Sequence, residues 1–209
     1  ASDVYKRQVY LDSYKLNPYS IYGAVTVDTI TSKLEELKKT GRLEKVKMIV
    51  LTNCTFDGIV YNPLKLMEAI LKIKSDIIFL WDEAWFGFAS FSPYMRSRTA
   101  MYSANVLRER KETDESLKDI RIRVYATQST HKTLSSFRQG SIIHVNDEDF
   151  EKKSANSFHE AYLTHISTSP NYQILASLDA GRKQAEFEGF ELTCLLYTSD
   201  AADDSLRVD

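Results

Sequence analysis

Two cysteines, four prolines and seven glycines in 209 residues exclude several kinds of protein at once. So few cysteines cannot build the disulfide framework of a small secreted scaffold. So little proline and glycine rules out a collagen-like or low-complexity chain. Apolar runs of the length that spans a bilayer are missing as well. Nor is charge of one sign in excess: 27 Lys and Arg stand against 29 Asp and Glu, a net charge of -2. That balance gives no electrostatic reason to expect nucleic acid, a membrane or a polyanion as partner. What is there is a chain with 43% hydrophobic and 27% charged residues, enough apolar material for a real core.

The two ends read as foreign to the rest. Residues 1–8, Ala-Ser-Asp-Val-Tyr-Lys-Arg-Gln, back-translate codon by codon into the transposon adapter used to fragment DNA for sequencing. Residues 194–204 read as the reverse complement of that adapter, and residues 205–209 fit index and primer sequence; an ordinary polar tail is the alternative. The expectation is that residues 1–8 and 194–209 take no part in the fold and that residues 9–193 are an internal piece of a longer reading frame. Cys194 then drops out of the count, and Cys54 alone cannot form an internal disulfide. A reducing, cytoplasmic compartment suits that.

Between the ends, strand and helix patterns alternate. Val9 to Gly23, with Tyr10, Tyr14, Tyr19, Tyr22 and Pro18, reads as a loop packed on a surface. Asp28 to Lys39 carries Ile30, Leu34 and Leu37 at helical spacing, with lysines at its end and Gly41 as a stop signal. Val46 to Leu51 is short and β-branched, as expected of a buried parallel strand. Asn62 caps a helix with Pro63 in its first turn and Leu66, Ile70 and Ile73 on one face. Asp76 to Trp81 is the next buried strand, and Met95 to about Leu107 is helical, followed by a solvated charge run to Asp119. Ile120 to Tyr125 alternates as a strand does, Ser141 to Val145 is a short strand, and Asp147 to Leu163 a surface helix. Ser169 caps a last helix with Pro170 in its first turn. The alternation predicts an α/β fold, a mostly parallel sheet flanked by helices and joined by right-handed crossovers.

In such sheets ligands bind beyond the carboxyl ends of the strands. Four loops there or beside them carry Asn53, Asp82, Lys132 and His165. Lys132, within Ser129-Thr130-His131-Lys132-Thr133, lies just past a strand among small hydroxylated residues and a histidine. That company suits an imine with an aldehyde cofactor whose phosphate needs nearby O–H and N–H donors; a solvated lysine in a polar turn is the alternative. Asp82 ends an apolar strand, where a carboxylate is disfavoured unless a cation meets it.

The Lys132 segment resembles the pyridoxal-phosphate attachment site of the bacterial ornithine/lysine/arginine decarboxylases, a pattern of Ser-x-His-Lys, small residues, Gln and two more small residues. It matches at Ser129, His131, Lys132, Ser135, Ser136, Gln139 and Ser141 and departs at Arg138 and Gly140. The family's Asp-Glu-Ala-Trp motif stands letter for letter at residues 82–85. The resemblance spans essentially all of residues 9–193 and implies part of the large, cofactor-binding domain of the aspartate-aminotransferase fold, type I. It implies that Lys132 holds pyridoxal 5'-phosphate covalently, that Asp82 binds its pyridinium nitrogen, and that Ser129 and His131 reach its phosphate. Trp85 is placed by it near the phenolic oxygen, Asn53 and Thr55 near the same side of the ring, and Thr168, with Ser167, Ser169 and Tyr172, at the phosphate of a neighbouring subunit. Each has a plainer alternative: a structural histidine at 131, a core tryptophan at 85, a turn at Asn53, a helix cap at 167–169.

The implied reaction removes the α-carboxylate of arginine, lysine or ornithine as carbon dioxide, for polyamine supply or acid consumption, in a homodimer or larger homo-oligomer with an amino-acid substrate and no nucleic-acid or membrane partner. A lysine attacks a carbonyl as the neutral amine, which burial favours, so Lys132 is expected to be buried. Glu83 and Asp57 are the candidate carboxylates for the substrate's distal cation. Two other functions fit the residues: a different pyridoxal-phosphate reaction on the same scaffold, transamination or aldol cleavage, or a non-catalytic α/β binding domain in which Asp82 holds a metal or phosphoryl group and Lys132 a phosphate.

Overall fold

The computed structural model describes residues 7–16 and 21–199. The expected opening loop contains a minimal hairpin, β1 (Lys15–Leu16) against β2 (Ile21–Tyr22); Tyr10 is exposed, Tyr14 packs on the core, and Tyr19 and Pro18 lie outside the described residues.

Helix α1 (Val27–Lys39) forms where expected: the Thr26 side chain accepts from the Thr29 N–H, and Ile30, Leu34 and Leu37 are buried on one face. Gly41 follows at φ +68°, a left-handed conformation open to glycine at no steric cost. Strand β3 (Met48–Thr52), helix α2 (Pro63–Ile73) and strand β4 (Ile78–Asp82) complete the first crossover. Helix α3 (Ala100–Thr113) leads to strand β5 (Arg123–Gln128). A single helical turn, α4 (Thr130–Thr133), precedes strand β6 (Ile142–Asp147). A π-helical turn (Phe150–Ser154) runs into α5 (Ala155–His165), and α6 (Tyr172–Ser199) is the last described element.

The four long strands order as β3-β4-β5-β6, the first three parallel and β6 antiparallel at the edge. One face of the sheet is the core. Phe79, Trp81, Val124 and Ala126 are almost fully buried there, with Leu66, Met67 and Ile70 of α2 and Ala100, Ala104 and Leu107 of α3 in the same cluster.

Several expectations change. Helix α3 starts at Ala100 and takes in the start of the charge run, to Thr113, while Asp147 ends β6 and the helix expected there begins as α5 at Ala155. Strand β3 is not buried on both faces: it is an edge strand, and Met48 and Val50 on the outer face are 47% and 60% exposed. The strand before Lys132 is displaced toward its carboxyl end, to Arg123–Gln128. And α6 begins after Asn171, whose side chain accepts from the Ile174 N–H at 3.2 Å, so the cap is Asn171 and not Ser169.

Candidate active site

The register aligns Thr52, Asp82 and Thr127 in a row across the carboxyl ends of β3, β4 and β5. The loops leaving these ends are laced together through their backbones. Asn53 N–H donates to Asp82 C=O at 2.8 Å, Glu83 N–H to Thr127 C=O at 2.9 Å, and Ser129 N–H to Ala84 C=O at 3.4 Å. Asn53, the Asp82–Trp85 turn and the Lys132 turn therefore form one rim.

Asp82 is half-buried at the end of its strand, with Oδ1 accepting from the Ala84 N–H at 3.1 Å. Lys132 is the third residue of the α4 turn, where its N–H donates to Ser129 C=O at 3.1 Å, and its Nζ lies 5.0 Å from the centre of the Trp85 ring. The expected burial of Lys132 is not found. Its side chain is exposed, because the short turn projects it from the rim rather than into the sheet. Trp85 is no core residue either: it is 39% exposed and meets Phe56 edge-on, ring centres 5.6 Å apart. These aromatic rings, with Cys54, Thr55, Gly58, Phe88 and Thr133, line an open cleft of about 300 Å³.

His131 is half-buried, its Nδ1 3.0 Å from Gly140 C=O. Glycine is required at 140 for a separate reason: a Cβ there would stand 2.8 Å from Thr130 Oγ1 and 2.6 Å from Leu178 Cδ2. Thr168 is exposed in the turn between α5 and α6. His165 is not at a strand end at all. It closes α5, its Nδ1 2.8 Å from Ala161 C=O, because the preceding strand β6 is antiparallel and leads into helix.

Asn53 faces inward. It is fully buried, its Nδ2 donating to Glu83 Oε1 at 3.0 Å and to Arg98 C=O at 2.9 Å, its Oδ1 accepting from Cys54 and Tyr61 N–H at 3.2 and 3.1 Å. Glu83 is buried as well and is no ligand for a substrate cation. Its carboxylate accepts from Asn53, from Ala100 N–H at 2.8 Å and from Gln128 Nε2 at 3.3 Å. Burial pushes its pKa up, against those three donors, which pull it down. Cys54, in the left-handed region at φ +59°, has its thiol pushed up by burial and by the charge of Glu83.

Sequence reasoning expected hydroxyl donors beside Lys132 but assigned only Ser129 and His131 to the phosphate. Thr130 Oγ1, Thr133 Oγ1 and Ser136 Oγ are buried without a hydrogen-bond partner, all within four residues of Lys132. Buried polar groups are ordinarily paired, so three orphan hydroxyls within four residues of one lysine in sequence fit a ligand bearing several acceptor oxygens. The run of Ser and Thr was the signal. A phosphorylated aldehyde fits this donor set: an amine on the rim, hydroxyls beside it, an aromatic wall and an aspartate at the strand end. Among the described residues no group of His, Cys, Asp and Glu could hold a metal ion.

This architecture, a mostly parallel sheet with a lysine turn and an aspartate at its carboxyl edge, is that of a pyridoxal-phosphate-dependent fold. The chain belongs to the Orn/Lys/Arg decarboxylase family: residues 5–194 match the family's major domain. It is 39% identical over 146 residues to lysine decarboxylase LdcA of Pseudomonas aeruginosa, covering 70% of this chain and 18% of that protein. It is 35% identical over 170 residues to the biodegradative arginine decarboxylase of Escherichia coli, covering 78% and 21%. The solved structure of lysine decarboxylase A from P. aeruginosa superposes with a TM-score of 0.63 at 33% identity, over 87% of this chain and 23% of that one. The chain thus spans about a fifth of the length of these relatives.

Proposed function

We propose that this chain is a segment, residues 9–193, of the cofactor-binding domain of a pyridoxal-phosphate-dependent decarboxylase acting on arginine, lysine or ornithine, a cytoplasmic homo-oligomer of at least two subunits. The observation that carries it is the Lys132 segment: an amine 5.0 Å from the Trp85 ring, with three unpartnered buried hydroxyls within four residues of it in sequence.

Lys132 would hold the aldehyde cofactor through its side-chain amine. Thr130, Thr133 and Ser136, with Ser129 and His131 on the same turn, offer donors to phosphate oxygens. Trp85 walls one side of the site, and Asp82 keeps a carboxylate at the strand end to hold a protonated ring nitrogen. When bound, pyridoxal phosphate supplies an electron sink for the pair left as the α-carboxylate departs. The bond from the α-carbon to the carboxylate breaks, carbon dioxide leaves, and a proton replaces it, giving the amine. Asn53 contributes from beneath by holding the loop of Cys54, Thr55 and Phe56 against the site, and Thr168 is proposed to serve the phosphate of a neighbouring subunit. Asp57, exposed in the loop that supplies Phe56 and Gly58 to the cleft, is the carboxylate proposed for the distal cation of the substrate.

The test is carbon dioxide release from arginine, lysine and ornithine by the full-length decarboxylase carrying this segment, with cofactor added, beside its Lys132→Ala variant. Release from one amino acid, abolished in the variant while the fold is kept, supports the assignment and names the substrate. Keto acid in place of amine would move the assignment to another pyridoxal-phosphate reaction.

A further inference from the structure

A chain of side chains, buried except at the half-buried His144, runs beneath the rim from one edge of the sheet to the other. His144 Nε2 on β6 meets Gln128 Oε1 on β5 at 3.1 Å. Gln128 Nε2 donates to Glu83 Oε2 at 3.3 Å, and Glu83 Oε1 accepts from Asn53 Nδ2 at 3.0 Å and from Ala100 N–H at 2.8 Å. Asn53 continues to Arg98 C=O and Tyr61 N–H. Glu83 is the hub: one carboxylate holds the loop after β3, the end of β5 and the first turn of α3.

Its surroundings call for an acceptor of several hydrogen bonds. The three side-chain and backbone partners are all donors, and one is the N-terminal N–H of a helix, where the macrodipole favours an anion. Nothing in the proposed chemistry uses Glu83, which is fully buried. Yet both its neighbours belong to the candidate site: Asp82 precedes it and Trp85 follows two residues later. Any shift of Glu83 displaces the carboxylate at the strand end and the aromatic wall together.

We propose that Glu83 is a positioning residue, whose buried carboxylate, tied to Asn53, Gln128 and Ala100, fixes Asp82 and Trp85 relative to the Lys132 turn. The role rests on the function proposed above. Substitution by glutamine preserves volume but sets an amide N–H against the Gln128 amide N–H. Relief requires the Gln128 amide to turn over, which in turn opposes its N–H to His144 and demands the other histidine tautomer. The hydrogen-bond direction of the whole strap has to reverse.

The experiment compares full-length wild type, Glu83→Gln and Glu83→Ala as apo- and holoenzyme. It measures thermal midpoint of the apo-protein, pyridoxal-phosphate affinity by titration of the apo-protein, and kcat and KM separately. For Glu83→Gln, the apo midpoint stays near wild type, while cofactor affinity and kcat fall by about tenfold or more, as outer-shell partners command at metal sites, with KM little changed. Glu83→Ala loses affinity and kcat at least as far, with a lowered apo midpoint. A Glu83→Gln enzyme matching wild type in affinity and kcat overturns the role, and so does a loss wholly explained by a lower apo midpoint. A wild type that takes up no cofactor overturns the function itself, a separate outcome read before any variant.

Discussion

Glu83 carries a carboxylate into a place where charge is costly, and its titration is coupled to stability. Desolvation is the largest influence on it and raises its pKa; the Ala100, Asn53 and Gln128 bonds offset part of that. A carboxyl whose pKa is higher folded than unfolded holds its proton more tightly in the native state. Its contribution is therefore fully present below the unfolded value and is lost as pH climbs through the folded one. Urea unfolding of the 209-residue chain is expected to show this loss above about pH 4.3, the ordinary glutamate value, and Glu83→Gln to flatten it. Asp76, held low by the Lys74 bond, acts below that range, and His144, lowered by burial, contributes stability that is lost as pH falls through its folded value. Because Glu83→Gln also re-sets the His144 bond through Gln128, the comparison is made in a His144→Gln background, where identical pH profiles with and without Glu83 would refute the coupling. The position was readable in part. Phe79, Trp81 and Glu83 share a face by the two-residue period of a strand, as do Val124, Ala126 and Gln128. That Glu83 and Gln128 meet depended on the pairing of β4 with β5, which no local pattern encodes.

At the scale of elements, local signals succeeded where one cap had no rival. Asn62 accepts from the Lys65 N–H at 3.2 Å with Pro63 behind it, just as the residues suggest. Replacing Asn62 by alanine is expected to cost about 1 kcal/mol of stability, measured by denaturant unfolding, while aspartate there stays near wild type; a neutral Asn62→Ala would deny the cap its role. Ser169-Pro170 drew the start of α6 two residues too early, because Asn171, just behind the proline, supplies the cap instead. The strand before Lys132 was placed too early for a different reason. Ile120 and Ile122 gave a strong apolar alternation, but the hydrogen-bonded ladder begins at Arg123 and ends in Ala126 and Gln128, whose side chains are small or polar. Apolar periodicity reports burial, and here burial starts before the strand does.

For the whole molecule, the open outer face of the sheet governs what this chain can do alone. Sheets built from parallel crossovers ordinarily have both faces covered, whereas Met48, Val50 and Ile143 here are 40–60% exposed. The cleft beside Lys132 is likewise open. With about a fifth of the relatives' length and Lys132 on an exposed rim, the 209-residue chain is expected to release no carbon dioxide above background from arginine, lysine or ornithine with cofactor present. Substantial turnover by the chain itself would show that the site is complete within it.

The sequence by itself determined the family and the order of the parts. The Ser129-to-Lys132 pattern and the Asp82-to-Trp85 motif are contiguous, and contiguous patterns survive without a fold. The helix faces of α1 and α2 followed from their 3.6-residue spacing. Only the tertiary structure decided which groups face the ligand and which face inward, because that depends on strands brought together from far along the chain. Asn53, thirty residues from Glu83, turned out to be its buried partner, and Glu83 the hub of the strap instead of a substrate contact. The edge position of β3 and the reversal of β6 were settled the same way, by the register and layering of the sheet.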